Sequence, residues 1–218
     1  MLTALSGAVA GVFHVLSGPD HLAAVAPLAL ADRRRAWIAG WTWGFGHASG
    51  VVVVAVLAVL LRDLLPPVDR ISAWGERLVG GALVALGLWA LARAARLRRS
   101  PHVHGGVPHD HLHVQAGPRW AQRLGHAHAS FAVGLLHGVA GSSHFFGVLP
   151  ALALPTPGAS FTYIAAFGVG TVAAMTAFAG LVGRVSAHDA RASHRGLMAT
   201  TGVAAIAVGC VWLAGAAF

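Results

Sequence analysis

Long apolar stretches separated by short polar ones run along the whole chain. Six of them, at 3–31, 36–61, 73–97, 127–153, 159–183 and 196–217, reach the length of about 20 mostly apolar residues that a helix needs to cross a hydrocarbon core of about 30 Å. This pattern predicts an all-α membrane protein with about six transmembrane helices. The first stretch is interrupted by Ser17-Gly18-Pro19-Asp20. Proline removes a backbone donor there and glycine weakens the helix, so a discontinuous helix is expected. Irregular backbone at membrane depth is tolerated only where protein or water surrounds it, which makes the break a pointer to a cavity.

The chain also resembles itself. A shift of 123 residues places Gly11, His14, Gly18, His21, Val25 and Pro27 on Gly134, His137, Gly141, His144, Val148 and Pro150. A shift of 124 sets Gly44 and Gly46 against Gly168 and Gly170, with His47 opposite Thr171, and a shift of 122 sets Gly80 and Gly87 against Gly202 and Gly209. The reading is two three-helix repeats, 1–98 and 126–218, joined by a histidine-rich cytoplasmic loop at 99–125. An odd number of crossings per repeat inverts the second copy relative to the first, an arrangement characteristic of secondary transporters. The repeat extends the expected discontinuity to the fourth helix, and glycine at Gly80, Gly87, Gly202 and Gly209 is expected to allow close helix packing.

Composition narrows the class. The 218 residues are 56% hydrophobic and 10% charged, against roughly 25% charged in soluble domains, so a soluble reading is excluded. All 15 basic residues are arginine and the net charge is +8, but the charge lies in short connecting stretches, which speaks against a nucleic-acid groove. Arg33, Arg34 and Arg35, then Arg93, Arg96, Arg98, Arg99, Arg119 and Arg123, then Arg184, Arg191 and Arg195 fall in alternate loops. The positive-inside rule makes those loops cytoplasmic and puts both termini outside. No cleavable signal peptide is expected, and the lone Cys210 allows no thiolate cluster.

The candidate chemistry lies in polar residues inside the apolar stretches. A carboxylate at a helix centre costs about 2.5–3.5 kcal/mol on insertion scales, so Asp20 needs a function there. His14 and His21 are seven residues apart, close to two helical turns, and His137 and His144 repeat that spacing. With His47, which follows a Gly-x-Gly, they make five histidines and one aspartate. Neutral imidazole suits nickel, cobalt, zinc and copper(II), while the scattered methionines and single cysteine give copper(I) no path. The carboxylates are too few for magnesium or calcium. The metal site is thus expected at His14, Asp20, His21, His47, His137 and His144, with no catalytic residue and no prosthetic group. Between the third and fourth stretches, His102, His104, His109, His111 and His113 read as a flexible tract able to bind a transition metal loosely.

His14-Val-Leu-Ser-Gly-Pro-Asp20-His21, followed by Leu-Ala-Ala-Val-Ala-Pro, resembles the signature of the nickel/cobalt transporter superfamily, including its shorter branch of urease-accessory and sulfite-exporter-like membrane proteins. Gly134-Leu-Leu-His137-Gly-Val-Ala-Gly141-Ser-Ser resembles that shorter branch as well. The resemblance implies that His14, Asp20 and His21 select and move nickel or cobalt, in a multi-pass protein of a bacterial inner membrane. The partners so implied are the bilayer, a divalent ion, a cytosolic metallochaperone or metalloenzyme maturation protein, and a second copy of the chain. With no lysine, the chain has no phosphate-binding Gly-x4-Gly-Lys-Ser/Thr motif, so an ion gradient, the membrane potential or a partner would supply energy. Efflux of the same metals, export of a small sulfite-like anion, and a metal-dependent membrane enzyme are the competing readings.

Overall fold

Helix α1 (Leu2–Ser17) stops where glycine and proline meet. Gly18 is extended, with φ −92° and ψ 101°, and Pro19 opens α2 (Pro19–Ala31) in the first turn, where its missing N–H leaves no bond unmade. In this computed structural model, which describes residues 1–60, 68–104, 107–114, 126–140, 150–151, 153–188 and 194–215, the two helices meet at a 77° bend. The break falls at the tetrapeptide whose composition predicts it. Helix α2 is then enclosed: Asp20, His21 and every residue from Ala23 to Leu30 are buried. A helix apolar on all sides belongs inside protein, where the irregular backbone at its start is kept from lipid. At its other end Arg93 donates from Nη2 to the Ala31 carbonyl at 2.9 Å, satisfying a helix-terminal acceptor.

A 3-10 turn at Arg33–Arg35 leads into α3 (Ala36–Leu60), which is followed by α4 (Val68–Arg96), strands β1 (Leu97–His104) and β2 (Val107–Val114), α5 (His126–Ala140), α6 (Pro157–His188) and α7 (His194–Leu213). Three helix pairs make the frame. Helix α1 runs parallel to α6, with Gly7 against the Tyr163 carbonyl and Gly11 against that of Phe167. Helix α3 runs parallel to α5, with Gly46 against Phe131 and Gly50 against Leu135. Helix α4 runs antiparallel to α7, with Gly80 at Gly209 and Gly87 at Gly202. Where lipid replaces water, helices associate by close packing, and small residues at the contact let the backbones approach.

Among the described residues, Trp74–Arg96, Pro157–Ala187 and His194–Leu213 are long and apolar enough to cross a membrane, and the bent α1–α2 pair is a fourth candidate. Ala127–Ala140 is a shorter apolar helix. Phe13, Trp41, Phe161 and Leu181 are about half exposed or more on the outer surface, an apolar cover suited to a bilayer. The protein is a multi-pass helical membrane protein. The expected discontinuity of the fourth span, and His144 with it, lies in 141–149, outside the described residues.

One element departs from the all-helical expectation. Strands β1 and β2 pair antiparallel, in register from Leu97↔Val114 to His104↔Val107. The reason is in the sequence: His-Val-His and His-Asp-His-Leu-His-Val alternate with period two on either side of Gly105-Gly106, a hairpin pattern that the histidine content masks.

The α4–α7 contact gives a stability prediction. A Cβ on Gly87 would lie 2.5 Å from the Gly202 carbonyl oxygen, whereas one on Gly81 meets nothing within 4 Å. Gly87→Leu is expected to destabilise the protein by about 1–3 kcal/mol through overpacking. Thermal unfolding in detergent should show the loss for Gly87→Leu and little change for Gly81→Leu.

Candidate metal centre

Four helices deliver the polar cluster. His14 comes from the last turn of α1, Asp20 and His21 from the first turn of α2, His47 from the middle of α3, and His137 from the last turn of α5. The 77° bend turns Asp20 and His21 back toward His14. Gly18 makes that possible, because a Cβ there would meet both the His21 ring and, at 2.8 Å, Asp20 Oδ1. Glycines also seat the two flanking helices: Gly134 lies against the Trp43 carbonyl and Gly138 against that of His47.

Asp20 holds two imidazoles. His21 Nδ1 donates to Oδ1 at 3.0 Å and His137 Nε2 donates to Oδ2 at 2.8 Å. A carboxylate only accepts, so these ring nitrogens carry protons, and a neutral His21 then has its lone pair on Nε2. The His21 ring centroid is 4.5 Å from that of His14 and 5.0 Å from those of His47 and His137. Asp20, His21, His47 and His137 are at most 2% exposed, while His14 is half-buried.

Two triads have metal-binding geometry: His14, His21 and His47, and Asp20, His21 and His137, each offering ligand atoms within 4.8 Å of one another. Atoms bound to one ion at about 2.1 Å lie no more than about 4.2 Å apart, so small side-chain rotations suffice to close the first triad, while the second must also free its ring nitrogens from their hydrogen bonds to Asp20. His21 belongs to both. The first triad is three imidazoles with a carboxylate behind one of them, the arrangement in which an outer acid fixes the tautomer and raises the basicity of a ligand.

Five of the six residues expected from the sequence are therefore together, and His144 lies outside the described residues. Sequence reasoning missed the aromatic wall. Trp43 is fully buried, stacks on His47 with centroids 5.0 Å apart and planes at 11°, and stands 5.6 Å from His21 and 5.4 Å from His137. Its position one helical turn before His47 is the signal that could have found it. Phe167 of α6 lies 5.4 Å from His14. Thr171, the repeat counterpart of His47, is buried one turn further along α6, and its hydroxyl has no hydrogen-bond partner among the described residues. His194, at the start of α7, is also buried, at 9% exposed.

Fold and site define a polytopic helical membrane protein with a buried imidazole–carboxylate cluster at a helix break. The chain belongs to the family described as the cytochrome c biogenesis protein transmembrane region, whose model matches residues 5–211. It is 34% and 35% identical to the Arabidopsis thaliana chloroplast proteins FOR GROWTH AND FERTILITY 1 and 2, over 85% of this chain and 51% and 48% of those proteins. The chain thus spans about half the length of these curated relatives. It is also 28% identical to the urease accessory protein UreH of Bacillus sp. (strain TB-90), over 81% of this chain and 74% of that one. No solved structure matches. The nickel/cobalt superfamily resemblance is thus met in part: the matching family carries a different description, and the UreH relative stands for the shorter branch. Thiol–disulfide exchange within the chain would need two cysteines, and the one present, Cys210, is exposed on α7.

Proposed function

We propose that the chain is a membrane transporter of a divalent transition metal, nickel or cobalt, in a bacterial inner membrane. The observation that carries this reading is a buried carboxylate holding two imidazoles, with two more beside it, at a broken helix. Burying an ionised group is costly unless it is paired and hydrogen-bonded, and such a group inside a membrane marks an ion pathway by default. Asp20 supplies one negative charge, and His14, His21, His47 and His137 supply borderline nitrogen ligands matched to these ions. We take His144 as a further ligand. The ion is the cargo: it exchanges its water for imidazole nitrogen, with His14, the more exposed of the set, as the first contact.

The helices are read as two inverted three-helix repeats, with α1–α4 in the first and α5–α7 in the second. The parallel course of α1 with α6 and of α3 with α5, and the antiparallel course of α4 with α7, suit the crossing directions that inversion requires. Each of these pairs takes one helix from each repeat. Gly40 and Gly44 of α3 also lie against Met175 and Val172 of α6, so the α1–α6 and α3–α5 pairs are themselves closely packed, and the buried cluster sits where they meet.

A small-anion exporter is the second reading, favoured by the sulfite-exporter-like branch. Anion sites use arginine or helix N-termini, and the cluster holds acid and imidazole instead. An enzyme reading would leave Asp20 as the only acid of the cluster to act as a base.

The experiment is metal flux into proteoliposomes with an internal indicator of nickel and cobalt. Wild type is expected to carry metal, and His14→Ala with His21→Ala to stop it. Undiminished flux by the folded double variant would rule out this site, and sulfite flux without metal flux would select the anion reading.

A further inference from the structure

A group of positive side chains gathers at the far end of α2, where the metal centre does not use it. Four elements converge there. Arg33 of the 3-10 turn donates from Nη1 to the Ser186 carbonyl of α6 at 2.9 Å, and Arg93 of α4 donates from Nη2 to the Ala31 carbonyl of α2. The Trp89 ring, 5.7 Å from Arg93 Cζ, helps to hold that guanidinium in place. His194 opens α7 and is 9% exposed. The charges of Arg33 and Arg93 both act on its ring. About one turn into the frame, Leu30, Ala90, Ala94 and Met198 pack into an apolar floor, so these groups stand on packed helices. Asp32 is the acid that acts on Arg93, and it is exposed, so it offsets one of the two positive charges at most. Each guanidinium carries five N–H donors, and the bond described uses one of them. Arg93 Nε and His194 Nδ1 are buried, and neither has a hydrogen-bond partner among the described residues. Buried polar nitrogens are hydrogen-bonded as a rule, so two unpaired ones on neighbouring side chains mark a place that a ligand fills.

We infer that Arg33, Arg93, His194 and the start of α7 form a binding site for a phosphate group, carried by an anionic lipid or by a soluble phosphate. Guanidinium forks match phosphate oxygens in charge and in geometry. A neutral histidine with its proton on Nδ1 supplies one more donor. The positive end of the 20-residue α7 dipole adds to the same field. The place suits a headgroup, because α2 and α4 end here and α7 begins. Ala31 is eleven residues beyond Asp20 along α2, a rise of about 16 Å, so the site is separate from the metal centre and independent of the transport reading. A phosphate bound there would tie α4 and the 3-10 turn to α7.

Isothermal titration calorimetry of the full chain in a neutral detergent tests it. Dioctanoyl phosphatidylglycerol and inorganic phosphate are the two probes, and dioctanoylglycerol is the control that lacks phosphate. The wild type is expected to bind at least one probe more tightly than the control. Arg93→Gln and His194→Phe are each expected to weaken that binding about 10–100-fold, the loss of one hydrogen bond to a charged group. Arg195→Gln removes the same charge from the next residue, which is exposed, and is expected to leave binding nearly unchanged. Binding of phosphatidylglycerol alone would support the site with a lipid headgroup as its ligand, and binding of inorganic phosphate would support it with a soluble one. Equal weakening by Arg195→Gln would mean that surface charge attracts the anion without a built site, and would overturn the inference. Absence of binding by both probes would overturn it as well. Arg93 also holds the end of α2, so melting curves accompany each titration. His194→Phe keeps the ring volume, and unchanged affinity in that folded variant would by itself remove the site.

Discussion

Asp20→Asn is expected to abolish metal flux while leaving the protein folded. The substitution keeps the size of the side chain but removes the one negative charge of the cluster. It also replaces an acceptor oxygen with a donor, so either His21, at 3.0 Å, or His137, at 2.8 Å, must turn its lone pair to face it. A His21 that reverses its tautomer presents a proton where the His14–His21–His47 triad needs a lone pair. Loss of an acid that only orients a metal ligand already costs about 10–100-fold in affinity or activity. Loss here removes the orienting bond together with the compensating charge, so flux is expected to fall by at least about 100-fold. Proteoliposome flux measured beside a melting curve separates the two effects: retained flux would remove Asp20 from the pathway, whereas lost flux with an unchanged melting temperature assigns it there.

Gly138→Val is expected to cost both stability and binding. The new side chain would occupy the space of the His47 carbonyl and the adjoining backbone of α3. Backbone cannot rotate aside as a side chain can, so α3 and α5 must separate. Overpacking of this kind costs about 1–3 kcal/mol, and the separation draws His47 and Trp43 away from His21. The measurement is again paired: thermal unfolding in detergent and nickel affinity by calorimetry. A fall in both is the expected result. An unchanged affinity would mean that the ion does not use His47.

What the sequence made legible follows from what a linear pattern can carry. The break at Gly18 was legible because glycine and proline act locally, through their own backbone. So was the membership of His14, Asp20, His21, His47 and His137, because polar residues are costly in an apolar stretch and few enough to be noticed. Their arrangement was not legible. Asp20 lies between His21, its neighbour in sequence, and His137, which is 117 residues away, and no local rule pairs residues at that distance. Trp43 was hidden for the opposite reason: an aromatic in an apolar helix carries no contrast. The hairpin was missed because two signals overlapped, with histidine content pointing to low complexity and the period-two alternation around Gly105-Gly106 pointing to strands.

The pairing of helices has a consequence for how the chain is made. Gly7 and Gly11 of α1 close on Tyr163 and Phe167 of α6, so α1 is completed by a helix that is translated more than a hundred residues later. At about 5–20 residues per second, α1 waits on the order of 10 s in the bilayer with its small-residue face unmatched. Assembly of the cluster is then a late event, governed by the arrival of the C-terminal helices rather than by the insertion of the N-terminal ones.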